Sequence, residues 1–561
     1  MKFKKYFLII ILVLASFFRL AYLDRGDPLT DEILYAFRSV GPLDFAAAQD
    51  QTTPLEWFDG HIPAWTKLSF HDHPPLVFWI QHVSMKIFGE TNFAYRLPSA
   101  LLGILSVYLL YLIGKKLFSQ PLGLLAAGLL AINNNHIYVS RLGLQEAYVI
   151  FFILLTLYFF ILAKDNHRYW WLMGVALGLG MLTKYTTFIV VPIILTYLLI
   201  FDRPAFKNRH FYQSFIISLV LFLPVLIYNL KLFQVTGHLD FQISYMLGKV
   251  PAVWSVAPGK DIGTLADRLS QFGPNMLGTY FYGFLLLSLA SLIYLLFTIK
   301  QGVKAAKLLI LISFFYLLIL ILKIGPSYRF LTMLSPFLVL IVAVALWDFY
   351  EKFLSNKKKL AIAILVLFML GEFLYISNTY LVRYPYGRKI WLYSPTSFDT
   401  YNWGYHELGN YLDKELSDKT PAVVFNLKYN FLGDWQNKAL DKDKAQGKAL
   451  YPALIIYDDN TYNIPQMWYL ERLSIYHAWP VIKAQSYKEF LDTQGQDFFV
   501  KAGIKYFYFI VASDQILLKE PAYRSEAAQN LLSNLAGKNI SVRTIDNPKG
   551  QAAFEVYTWQ E

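Results

Sequence analysis

Apolar and polar positions alternate on a coarse scale along the first two thirds of this chain. Long apolar runs are separated by short polar stretches, and runs of roughly 17–25 residues are long enough to cross a bilayer. Eleven runs qualify: 6–23, 93–113, 120–139, 145–163, 169–183, 185–201, 211–230, 276–298, 308–322, 330–347 and 360–379. The first follows "MKFKK" and is expected to stay in place as a signal anchor. The run 73–89, "HPPLVFWIQHVSMKIFG", is short, starts with two prolines and contains Gln81, His82 and Lys86. It is expected to lie on a membrane surface as an amphipathic helix.

Beyond residue 380 the pattern changes. Strand-like runs ("AVVFNL", "ALIIYD", "YFYFIV", "ISVRTI", "FEVYTW") alternate with helix-like ones ("HELGNYLDKEL", "SYKEFLDT", "SEAAQNLLSNLAG"). This predicts an α/β domain. The expected organisation is therefore a membrane module over 1–379, including a long loop over 24–92, and a soluble domain over 380–561.

Composition agrees with a polytopic α-helical membrane protein: 56% of the 561 residues are hydrophobic and only 16% charged. The net charge of +12 does not point to nucleic acid, because residues 380–561 carry 20 Lys+Arg and 20 Asp+Glu. The excess lies in residues 1–379, with 31 against 19. With the N-terminus in the cytoplasm, the cytoplasmic loops between the eleven runs hold 17 Lys+Arg against 4 Asp+Glu, and the remainder up to 379 holds 14 against 15. Positive charge collects on the inside, so the 380–561 domain is expected outside, with the protein in a bacterial plasma membrane. There is no cysteine, which excludes disulfides and thiolate chemistry.

With this orientation the ionisable residues at run ends fall on the outer face: Asp31 and Glu32, His71 and His73, Arg96, Arg141, Glu146, Lys184, and Tyr328 with Arg329. Glu372, in the outer part of the last run, is the main charge inside a span. The connection "TKYTT" is expected to bring Lys184 to the depth of a lipid phosphate. Border chemistry argues against a transporter with a midplane site. Carboxylates can deprotonate a nucleophile and nearby cations can hold a phosphate, which suggests group transfer from a lipid-linked phosphate. A lipid-linked saccharide transporter or flippase is the alternative. His71 and His73 have the residue types for a shared metal, but "HPP" also simply starts a helix with proline in its first turn. No metal or cofactor is expected.

Five stretches in order, "TDEILYA", "HPPLVFW", "FGETNFAYRLPSALLGILSVYLLYLIGKKLF", "HIYVSRLGLQEAYVIFF" and "LGLGMLTKYT", with an echo at "SYRFLTMLSPFLVLI", resemble the protein O-mannosyltransferase and aminoarabinose transferase group. These are GT-C glycosyltransferases that use polyprenyl-phosphate sugars. The resemblance implies an inverting enzyme with an outward-facing site, a lipid-linked sugar donor and an extracytoplasmic protein, lipid or glycan acceptor. It implies Asp31 as the general base, Glu32 as its companion acid, Glu146 as an acid at the start of the fourth span and Lys184 as the lysine after the fifth. Leu34 stands where many members have a basic residue. That shifts the expected phosphate contacts to Lys184 and Arg329, with Arg141 and Arg96 as further candidates and Tyr328 beside them.

Overall fold

The computed structural model describes residues 2–561 apart from 30, 46–52, 59–61, 255–261, 300–304, 398–402, 428–429, 462, 515–523 and 537–539. The polar loop at 300–304 thus lies outside the described residues. Contacts divide the chain into two compact units: Met1–Asp24 with Trp65–Thr400, and Arg25–Ala64 with Tyr401–Glu561. Sequence reasoning kept all of 24–92 with the membrane module and began the second domain at 380. The contacts instead group 25–64 with the C-terminal part and 380–400 with the helices.

The first unit is helical. Among the described residues, five helical segments are long and apolar enough to cross a membrane: Asn92–Leu117, Glu146–Ala163, Arg209–Thr236, Ala305–Ile324 and the continuous helical stretch Tyr328–Tyr380. A sixth is the pair Gln120–Ala131 and Asn134–Ser140, bent by 64°. The expected run 120–139 is therefore broken. The carboxamide oxygen of Asn133 accepts the His136 N–H at 3.1 Å and starts the second piece. The expected run 276–298 is also not one helix; Leu265–Thr279 ends and Tyr282–Ile299 begins inside it. Lys2–Leu20, Tyr169–Thr183 and Val190–Phe201 carry other apolar runs as shorter helices. Leu76–Phe88 has 13 residues, about 20 Å at 1.5 Å per residue, which is short of the roughly 30 Å hydrocarbon layer.

Small residues allow these helices to approach closely. A Cβ on Gly174, in Tyr169–Thr183, would lie 2.3 Å from the Ser214 carbonyl oxygen of the neighbouring helix Arg209–Thr236. A Cβ on Gly123 would lie 2.5 Å from the Tyr111 carbonyl oxygen. These are backbone contacts of the kind that hold helices together without a hydrophobic drive.

Among the described residues the second unit contains seven strands: β1 Lys419–Pro421, β2 Ala449–Tyr451, β3 Ala453–Tyr457, β4 Val481–Lys483, β5 Tyr506–Ala512, β6 Ser541–Asp546 and β7 Ala552–Gln560. β1 and β2 form a parallel pair; the other five form one sheet in the order β4-β3-β5-β7-β6. β3 runs parallel to β4 and β5, while β7 runs antiparallel to β5 and β6. Every residue of β3, "ALIIY", is buried, as a central parallel strand requires. Leu454, Ile456, Phe507 and Phe509 pack with Ala528 and Leu531 of helix Glu526–Leu535. The run "AVVFNL" at 422–427 forms no strand; the pairing falls just before it, at β1.

The glycine contacts give a contrast. Gly174→Ala should lower the thermal midpoint in detergent, with a cost of about 1–3 kcal/mol for overpacking. Gly128→Ala meets only Met369 and Ile11 side chains at 3.6 and 3.8 Å and should be neutral or stabilising. Equal midpoints for the two variants would refute the packing account.

Candidate active site

Glu146, Lys184 and Arg329, three charges at the ends of separate apolar runs, come together. Glu146 is the first residue of helix Glu146–Ala163 and is 1% exposed. A carboxylate is favoured there by the helix dipole. Lys184 follows helix Tyr169–Thr183 on extended backbone, φ −164° and ψ 140°. Its Nζ lies 2.7 Å from Glu146 Oε1. Arg329, in the short helix Tyr328–Leu331, brings Nε to 4.0 Å from the same oxygen. The Phe330 ring lies 4.8 Å from Lys184 Nζ and 4.9 Å from Arg329 Cζ. Two cations thus share one carboxylate and one aromatic ring.

The neighbouring polar atoms are unusual. Glu146 Oε2 and both amide atoms of the fully buried Gln145 have no hydrogen-bond partner among the described residues. Buried polar groups are ordinarily bonded. Lys184 and Arg329 keep side-chain exposures of 15% and 26%, so the cationic side of the cluster is the accessible side. Tyr328 lies at the same turn, with its hydroxyl packed at Gly278.

Next to Lys184, the Tyr185 hydroxyl donates to Asp240 Oδ2 at 2.5 Å, and Asn229 Nδ2 donates to the same oxygen at 2.9 Å. Asp240 Oδ1 accepts the Ile243 N–H at 2.8 Å. Burial raises the Asp240 carboxyl above its ordinary range, against the effect of these bonds. Asp240 therefore fastens the loop after helix Arg209–Thr236. The same loop is tied to the "HDHPP" segment: Phe241 N–H donates to the His71 carbonyl oxygen at 2.8 Å, and Trp254 packs 5.9 Å from the His71 ring and 4.7 Å from that of His238. His73 Nδ1 lies 3.0 Å from Asp72 Oδ1 and His71 Nδ1 lies 3.9 Å from it. Both imidazoles thus turn toward one carboxylate.

Arg96 and Arg141, expected among the phosphate contacts, are buried, at 0% and 1% exposure. Arg141 donates to the carbonyl oxygens of Phe18 at 2.8 Å and Tyr22 at 3.2 Å; Arg96 donates to that of Leu23 at 3.1 Å. They satisfy the carbonyls at and beyond the end of helix Lys2–Leu20. Glu372 is buried in helix Lys358–Tyr380, with neither carboxylate oxygen hydrogen-bonded among the described residues.

Asp31 and Glu32 belong to the second unit, at the start of helix Asp31–Val40. Their environments differ. Glu32 is fully buried, and its Oε1 accepts the Leu29 N–H at 2.7 Å, bracing the turn before the helix. Asp31 is half-buried.

Sequence reasoning missed Arg19, His136, Tyr185 and Asp240. Arg19 donates to the carbonyl oxygens of Leu130 at 3.1 Å and Ala131 at 3.0 Å, and approaches His136 Nδ1 at 2.8 Å. The signal was present: an arginine inside an apolar run, and "NNNH" inside another.

The profile of the dolichyl-phosphate-mannose-protein mannosyltransferase family matches residues 72–228. YkcB of Bacillus subtilis, which carries a provisional mannosyltransferase name, is 31% identical over 28% of this chain and 21% of its own. An undecaprenyl phosphate-α-4-amino-4-deoxy-L-arabinose arabinosyl transferase of Pseudomonas savastanoi is 29% identical over 33% of this chain and 34% of its own. The chain thus aligns with a third or less of these relatives. Over its whole length it is similar to the crystal structure of ArnT from Cupriavidus metallidurans bound to undecaprenyl phosphate: TM-score 0.55, 13% identity, 98% of this chain and 97% of that one. At that identity the likeness is one of fold. The profile match contains Glu146 and Lys184 but neither Asp31 nor Arg329.

The two kinds of cation should respond differently to truncation. Arg141→Ala leaves buried helix-end carbonyls unbonded and should cost about 1–3 kcal/mol, seen as a lower melting midpoint in detergent. The folded fraction should keep its affinity for polyprenyl phosphate. Loss of that affinity at an unchanged midpoint would return Arg141 to the binding site.

Proposed function

We propose that this protein is an integral-membrane glycosyltransferase that moves a sugar from a polyprenyl phosphate to an extracytoplasmic acceptor, with inversion at the anomeric carbon. The observation that carries this reading is the Glu146–Lys184–Arg329 cluster. Its two partly exposed cations converge on one Glu146 oxygen, and paired cations of this kind suit a phosphate.

In this reading Asp31 accepts the proton of the acceptor hydroxyl or amine as that atom attacks the anomeric carbon. The bond from that carbon to the phosphate oxygen breaks, and the electron pair leaves with the lipid phosphate. Lys184 and Arg329 stabilise the charge that develops there. Glu146 holds both cations in place. Asp31 is assigned by the ordered sequence motifs, and its partial exposure, against the burial of Glu32, supports choosing it as the base. Undecaprenyl phosphate, bound in the similar ArnT structure, is the model for the departing lipid.

The reading includes eleven crossings, a cytoplasmic N-terminus, residues 401–561 outside and residence in a bacterial plasma membrane. Charge asymmetry between loops supports the orientation. The 53-residue helical stretch Tyr328–Tyr380 would span about 80 Å if straight, enough for two crossings joined at the lysine-rich residues 352–359.

The test uses the full chain in nanodiscs with a synthetic polyprenyl-phosphate sugar. Asp31→Asn should lower turnover by at least about 100-fold, the scale of general-base catalysis, with lipid binding retained. Lys184→Ala should weaken donor binding by about tenfold or more. Release of lipid phosphate identifies transfer. Movement of intact lipid-sugar between leaflets without release would identify a transporter instead.

A further inference from the structure

The helix that carries Asp31 has ten residues, Asp31–Val40, and an isolated helix of that length is marginal in water. Something must hold it, and the contacts identify the holder. On the N-terminal side, Asp27 is 4% exposed and its carboxylate accepts three backbone N–H groups: Trp403 at 2.5 Å and Gly404 at 3.2 Å on Oδ2, and His406 at 2.8 Å on Oδ1. Gly404 is the N-cap and His406 the second residue of the 12-residue helix Tyr405–Leu416, so Asp27 sits at the N-terminus of that helix, where a carboxylate is favoured. Only Pro28, Leu29 and Thr30 separate Asp27 from Asp31. Pro28 restricts that short link, and the Glu32 carboxylate ties Leu29 back to the helix.

At the other end of the helix, the Tyr476 hydroxyl donates to the Phe37 carbonyl oxygen at 3.0 Å, and the two rings lie 5.2 Å apart. Gly41 lies so close to Tyr476 and Trp435 that a Cβ there would come within 2.5 and 2.8 Å of their rings. Between these points the helix packs on the turn Met467–Glu471. Residues from four separate parts of 401–561 thus grip one ten-residue helix.

We infer that the C-terminal unit positions the base for the transfer reaction, with Asp27 and Tyr476 as positioning residues that act through Asp31. This rests on the reading of Asp31 as the general base. The unit that holds Asp31 consists mostly of residues far along the chain.

The experiment measures the pH profile of kcat, the donor KM and polyprenyl-phosphate binding for Tyr476→Phe, Asp27→Asn and Asp31→Asn in the full chain. Tyr476→Phe removes one hydrogen bond and should lower kcat about fivefold. Asp27→Asn sets an amide N–H against backbone N–H donors and should lower kcat about tenfold or more. In both, the donor KM and lipid binding should stay within about twofold, and the acid limb of the profile should move by about 0.5 pH unit or more as the surroundings of the base change. A purely structural loss would lower the rate equally at every pH. Tyr476→Phe is the mild variant and decides the matter if Asp27→Asn does not fold. An unshifted acid limb, or a loss confined to donor KM, would overturn the inference. Full turnover in Asp31→Asn would instead remove the base assignment itself, a separate result read from a separate variant.

Discussion

A helix that ends inside an apolar layer leaves its last carbonyls without water, and this protein meets that constraint with arginine. Arg19 serves Leu130 and Ala131 at the end of helix Gln120–Ala131, and Arg141 serves Phe18 at the end of Lys2–Leu20. Each guanidinium offers several donors in a fixed plane to carbonyls at the negative end of a helix dipole. In a bilayer every backbone group must be satisfied within the protein. The break at 132–133 and the termini around it therefore depend on these side chains. The same constraint separates structural from chemical cations: a guanidinium committed to carbonyls holds the frame, whereas one facing a carboxylate near solvent can exchange partners.

The Glu146 cluster is of the second kind. A buried carboxylate with one cation is closed chemically, because its pairing offsets its desolvation. Glu146 has two cations near one oxygen and an unbonded second oxygen. The cluster therefore contains a fixed anion that keeps two cations close despite their repulsion. Asp240 gives the adjacent Tyr185 a rigid partner, so the backbone around Lys184 is held from two sides.

Much of the helical frame was legible because apolar run length is set by the bilayer itself. Runs 93–113, 145–163, 211–230 and 308–322 each fall within one long helix. The breaks were less legible. Residues 120–139 have uniformly high hydropathy apart from "NNNH", and averaging over a window hides a cap that depends on one residue, Asn133. Glu146, Lys184 and Arg329 were legible as charges at the ends of apolar runs. Arg96 and Arg141 have the same sequence signature, and only contacts with carbonyls far along the chain distinguish them. A position at a run end specifies depth but not which way a side chain turns. The strand at 453–457 was legible from its unbroken apolar run. "AVVFNL" was misread because β-branched composition describes a surface and not a pairing partner.

The grouping of 25–64 with 401–561 follows from size. A segment of about 40 residues buries too little surface to fold alone without help from disulfides, metals or another body, and this chain has no cysteine. It must therefore borrow a core. Phe37 and Gly41 obtain theirs from Tyr476 and Trp435, and Asp27 has its charge neutralised by the amides of another helix. A loop held in this way acquires the rigidity of its host. The half-buried Asp31 is then an acid on a fixed helix and not on a wandering loop.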